Sequence, residues 1–121
     1  STIFATGHMV WKAAEAVNIL ESKNISAELI NIHTIKPLDE KAVLASVEKT
    51  KAAVTCEEHF LNGGLGDLIA QVIVRNNPVP VEMVGVNDTF GESGKPDELM
   101  EKYGLTTEKI VEAAINAVKR K

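Results

Sequence analysis

Four apolar runs of strand length, separated by segments with helical spacing, constrain this chain more than any other feature. Thr2 to Thr6 is a β-rich run closed by Gly7, after which Met9, Ala13, Ala16, Val17 and Leu20 recur on one helix face. Glu28 to Ile32 reads as a second strand. Pro37-Leu38-Asp39 leads into another helix, with Asp39 as N-cap and Val43 and Val47 facing inward. Ala52 to Glu57 is a third strand. Leu65, Leu68, Ile69, Val72 and Ile73 form the clearest amphipathic stripe, stopped by Asn76-Asn77-Pro78, and Val81 to Val86 is the fourth strand. Pro96 opens a short helix that Gly104 closes. Thr106 or Thr107 then caps a last helix that turns Ile110, Val111, Ala114 and Val118 inward.

This alternation predicts a three-layer α/β/α fold, a parallel sheet covered by helices on both faces. The strands are mostly apolar along their length, as doubly covered strands are. Right-handed crossovers restrict the topology to a few doubly wound arrangements. With 121 residues, the chain is long enough for one domain, residues 1–121, and too short for two. No apolar run reaches the length of a bilayer span, and Ser1 to Thr6 reads as a strand rather than a leader. A cytoplasmic protein is the expectation.

Charge narrows the partners. The formal net charge is −4, and the one dense basic run, Lys119-Arg120-Lys121, ends a helix, where positive charge suits the macrodipole. Nucleic-acid binding, which needs clustered Lys and Arg, is not expected, and neither is a membrane. Cys56 is the single cysteine, so no intramolecular disulfide or thiolate zinc cluster forms; its apolar neighbours make it a buried small hydrophobe.

In open parallel sheets, ligands bind at loops on the carboxyl ends of strands. The loops here are Gly7-His8, Asn31 to Leu38, Glu57 to Gly66 and Asn87 to Lys95, so His8, His33 and His59 share one predicted rim. The residues on it match no known chemistry by themselves. The histidine spacings fit no local metal motif, and Glu57 and Glu58, as neighbours on an extended chain, point to opposite sides. Gly63-Gly64-Leu65-Gly66 precedes a helix whose amides attract anions, yet it is neither the dinucleotide fingerprint nor a Walker loop. The alternative is structural: the glycines allow a tight turn and close helix–sheet packing, with Asp67 supplying the negative charge that the helix start favours. Ser93, in Gly91-Glu92-Ser93-Gly94, is not a nucleophile elbow. The residues alone go no further than an α/β domain with a polar rim.

Four stretches in order resemble the C-terminal domain of the transketolase family: TIFATGHMVWKAAEA, NIHTIKPLDE, VTCEEHFLNGGLGDLIAQVI and VNDTFGESGKPDELMEKYGLTTEKI. The resemblance covers essentially the whole chain. It implies a four-stranded, mainly parallel sheet in the order second, first, third, fourth. The family adds an antiparallel strand that this chain does not contain, which implies an exposed edge beside the second strand. Thiamine diphosphate and magnesium, in this family, lie between a diphosphate-binding and a pyrimidine-binding domain. The resemblance thus implies no catalytic, cofactor-binding or metal-binding residue here. It implies a non-catalytic assembly domain in an oligomeric enzyme of the pentose phosphate pathway, transferring ketol units between sugar phosphates.

Glu58, His59, Gly63, Gly64 and Gly66 match a family signature that shapes the domain and its contacts with neighbouring domains. Trp11 lies off the buried stripe of its helix and is either a partly covered surface residue or an interface anchor. Other readings stand beside this one. Deoxyxylulose-phosphate synthase, which shares the glutamate–histidine element, and the β component of a 2-oxoacid dehydrogenase are alternatives, and a stand-alone regulatory module would use the strand-end crevice.

Overall fold

In the computed structural model the described residues are 1–7, 9–32, 39–60, 64–86 and 106–121, with the side chains of 58–60 and 86 set aside. The elements are β1 (Thr2–Ala5), α1 (Met9–Ser22), β2 (Glu28–Asn31), α2 (Glu40–Thr50), β3 (Ala53–Phe60), α3 (Leu65–Asn76), β4 (Val81–Val86) and α4 (Thr107–Lys119). The strands form one all-parallel sheet in the order β2-β1-β3-β4, as expected, with β2 and β4 at its edges. The expected short helix from Pro96 to Gly104 lies outside the described residues.

Alternation along the strands divides the core between the two faces. Ile3 and Ala5 of β1, Val54 and Cys56 of β3 and Val84 of β4 meet Met9, Ala13, Ala16 and Leu20 of α1 and Ile110, Val111 and Ala114 of α4. Phe4 and Ala53 meet Val43 and Val47 of α2 and Leu65, Ile69, Val72 and Ile73 of α3 on the other face. Val17, Leu68 and Val118, expected inward, are half-buried at the margins of their stripes. Each helix thus buries the apolar face that its spacing marks.

Local chemistry ends the elements where the sequence indicates. The Asp39 carboxylate accepts a hydrogen bond from the Ala42 N–H at 3.1 Å, and the Thr106 hydroxyl accepts from the Lys109 N–H at 3.3 Å. Lys51 closes α2 in the left-handed region at φ 63°, its N–H donating to the Val47 carbonyl. Gly7 makes the turn between β1 and α1 at φ 57°, where a side chain would be strained.

Two contacts between distant segments tie the layers together. A chain of hydroxyls, Thr2 Oγ1 to Ser46 Oγ at 2.6 Å and Thr2 Oγ1 to Thr50 Oγ1 at 2.7 Å, joins α2 to the start of β1. The Arg120 guanidinium, just past α4, lies 2.6 Å from the Glu82 carboxylate and donates to the Val81 carbonyl at 3.3 Å. Arg120 therefore anchors the end of α4 to edge strand β4.

The third strand is longer than expected. The sequence places its end at Glu57, whereas β3 continues to Phe60, which pairs with Val86. Between the Cys56–Val84 and Phe60–Val86 pairs the register shifts, with β3 carrying two more residues than β4. The ladder to β4 resumes after this irregularity, so Glu58 and His59 belong to the strand rather than to the loop. Among the described residues, no helix is long and apolar enough to cross a membrane.

Candidate functional site

The junction between β3 and α3 concentrates the polar chemistry of the described residues. Cys56 points into the α1–α4 side of the core. Thr55 and Glu57, on either side of it in the strand, therefore point toward α3, as period-two alternation requires. Both are buried, Glu57 at 1% and Thr55 at 0% relative exposure.

Glu57 is held there by the helix. The Leu65 N–H donates to Glu57 Oε1 at 3.0 Å and the Gly66 N–H donates to Oε2 at 2.7 Å. Gly64 occupies the N-cap position with extended backbone and provides no side-chain cap. The amides that open a helix lack partners within it and carry partial positive charge. A carboxylate from the preceding strand meets both needs at once. Burying such a charge is costly unless it is hydrogen-bonded, and two charge-assisted bonds supply the compensation.

The contact needs glycine at position 66. A Cβ there would lie 3.1 Å from Met83 Sδ, 3.1 Å from Thr55 Oγ1 and 3.4 Å from Glu57 Oε2. Close helix–sheet packing is thus the observed role of Gly66, one of the two readings open from the sequence. Asp67 lies in the first turn of α3, adding negative charge where the macrodipole favours it. Burial pushes the Cys56 thiol well above its usual range, and the neighbouring Glu57 charge adds to the shift. Cys56 is accordingly a packed apolar group.

Most of the remaining expected residues lie at or beside this junction. Gly64 and Gly66 belong to this junction, Glu58 and His59 lie in β3 beside it, and Gly63 lies outside the described residues. Trp11 stands apart on α1 with 53% of its surface exposed, the Lys12 ammonium lying 5.2 Å from its ring centre. His8 and His33 lie outside the described residues, and the expected rim of three histidines lies outside them too. Glu57 is the residue whose part the sequence reading missed. The available signal was an acid two positions after Thr55 on the same strand face, followed by a glycine turn with no capping side chain.

A diphosphate and its magnesium do not fit the described residues. The paired amides at the start of α3 are taken by Glu57, and no group of three potential metal ligands comes together among the described residues. The arrangement ties the start of α3 to β3.

The family model described as the transketolase C-terminal domain matches residues 1–110. The chain is 50% identical, over 99% of its length, to a 6-deoxy-6-sulfo-D-fructose transketolase subunit from Clostridium sp. (strain MSTE9), of which it spans 37%. It is 42% identical over 98% of its length to a putative transketolase C-terminal section from Methanocaldococcus jannaschii, again spanning 37% of that relative. A solved split-gene transketolase, described as an inactive beta4 tetramer, superposes with a TM-score of 0.93 at 45% identity, over 99% of this chain and 39% of the other. The chain therefore spans little more than a third of these relatives, and it belongs to the transketolase C-terminal domain family.

Proposed function

We propose that residues 1–121 form a single, non-catalytic assembly domain of a transketolase, the enzyme as a whole transferring two-carbon ketol units between sugar phosphates. The observation that carries this reading is the β3–α3 junction, where the amides best placed to hold a phosphate already bind the chain's own Glu57. Thiamine diphosphate and magnesium are then held by the diphosphate-binding and pyrimidine-binding domains, which are this domain's partners. When bound, the cofactor serves as the electron sink for the carbanion formed in ketol transfer. The part played by this chain is to pack against those domains.

In this reading the signature residues Glu58, His59, Gly63, Gly64 and Gly66 shape the contact with a neighbouring domain, and Trp11 anchors a second contact. The assembled enzyme is a cytoplasmic oligomer of the pentose phosphate pathway. Relatives described as a subunit and as a C-terminal section support an enzyme divided between two chains. A second reading has an observation of its own: the chain is 37% identical, over 93% of its length, to a 1-deoxy-D-xylulose-5-phosphate synthase from Desulforudis audaxviator. The product formed by the assembled enzyme distinguishes the two.

The test is calorimetric titration of this chain with thiamine diphosphate and magnesium. No saturable heat is expected, and a micromolar binding isotherm would sink the assignment of roles.

A further inference from the structure

We propose that the start of α3 is an oxyanion site whose resident ligand is the chain's own Glu57 carboxylate, and that it accepts a small free carboxylate once that side chain is removed. Two features point to a site built around an anion rather than to an apolar contact that includes a glutamate. Both oxygens of Glu57 are engaged by consecutive helix amides, at 3.0 and 2.7 Å, in the manner of an anion bound at a helix N-terminus. The Thr55 hydroxyl, wholly buried and without a hydrogen-bond partner among the described residues, borders the same place. Thr55 Oγ1 and Glu57 Oε2 lie 3.1 and 3.4 Å from the point that a Cβ on Gly66 would occupy. The absent side chain of Gly66 lets the Thr55 hydroxyl and the Glu57 carboxylate come close to the helix start, so an anion that takes the place of the Glu57 carboxylate can approach both the amides and the hydroxyl.

The device has a consequence for folding. Glu57 reaches across eight positions to Leu65, so its carboxylate ties the start of α3 directly to the strand that precedes it. Two of the amides at the start of α3 are thereby satisfied by the chain itself. Where other glycine-rich turns wait for a phosphate, this one arrives loaded.

The experiment is thermal unfolding of the whole chain and its variants in sodium formate, against sodium chloride at equal ionic strength. Glu57→Ala is expected to melt below the wild type and to regain roughly 5 °C or more in formate, the shift expected for a ligand bound only by the folded state. Chloride should give a distinctly smaller gain, and the wild type should show no formate-specific gain. Glu57→Gln, which fills the space and presents one amide group toward the helix N–H groups, should melt lower than wild type with no formate response. Adding Thr55→Val to Glu57→Ala should weaken the apparent formate affinity several-fold. If Glu57→Ala is unfolded in buffer, formate should restore its helical circular dichroism. Equal rescue by chloride, no gain at any formate concentration, or wild-type stability in Glu57→Gln would overturn the proposal. An undiminished formate response in the Thr55→Val background would overturn the role of the hydroxyl.

Discussion

Gly66 and Thr55 meet at the same crowded point, and they respond to substitution in opposite directions. A methyl on Gly66 would press on Thr55 Oγ1 and Met83 Sδ, both at 3.1 Å. Met83 ends in a flexible thioether that can give way, but Thr55 is a β-branched residue fixed in a central strand. The better helix propensity of alanine recovers part of the cost. Gly66→Ala should therefore destabilise the chain by roughly 1 kcal/mol in urea unfolding, and a gain in stability would show that the junction has slack. Thr55→Val removes a buried hydroxyl with no partner among the described residues. It should leave stability unchanged or raise it by up to about 1 kcal/mol in the same measurement. Cys56 makes a third prediction. Its thiol ionises far more readily unfolded than folded, because burial and the Glu57 charge oppose the thiolate. Above the ordinary thiol value, about 8.5, the unfolded chain binds fewer protons than the native one, so stability falls as pH rises. The contribution is complete below that value. Denaturant midpoints should fall from pH 8 to pH 10 (both roughly either side of the ordinary value) more steeply in wild type than in Cys56→Ala.

At the scale of elements, α2 and α4 are capped locally, whereas α3 is capped from a distance. Asp39 and Thr106 each accept an N–H three residues ahead, so they act without help from the rest of the fold. Asp39→Ala and Thr106→Ala should each cost about 1 kcal/mol, measured by chemical denaturation, and their effects should add because the two caps share no partner. A combined loss well below the sum would indicate that one helix end is already frayed. The α3 cap differs in kind. Glu57 also belongs to strand β3, so its hydrogen bonds couple a strand to the helix that follows it.

For the whole molecule, the feature that bears on assembly is the distribution of exposed apolar side chains. Trp11 at 53% exposure lies on α1, away from the stripe of Met9, Ala13, Ala16 and Leu20 that meets the sheet. Strand β2 lies at one edge of the sheet, and an unpaired edge is a template for further strand pairing. Tryptophan is enriched among the residues that dominate binding at interfaces. Sedimentation of the purified chain at roughly tens of micromolar, within the range of modest interfaces, should show self-association that Trp11→Ser weakens. A monomer with fully water-exposed tryptophan fluorescence would remove both surfaces from consideration.

What could be read in advance was whatever neighbouring residues encode among themselves. The helical stripes, the caps at Asp39 and Thr106, and the alternation that makes a parallel α/β sheet all depend on residues within a turn or two of one another. The buried state of Cys56 and the outward placement of Trp11 followed from the same periodicity. The strand order was anticipated through the family resemblance rather than through spacing, since nothing local specifies which strands become neighbours. Three features needed the tertiary structure: the extension of β3 to Phe60, the bond from Arg120 to Glu82, and the burial of Glu57 against α3. Each depends on register between segments distant in the chain. An acid two residues after Thr55 reads from the sequence as a solvated strand end. It becomes a buried helix cap only because the parallel sheet brings the start of α3 back over β3, where two unpaired amides make a buried carboxylate favourable.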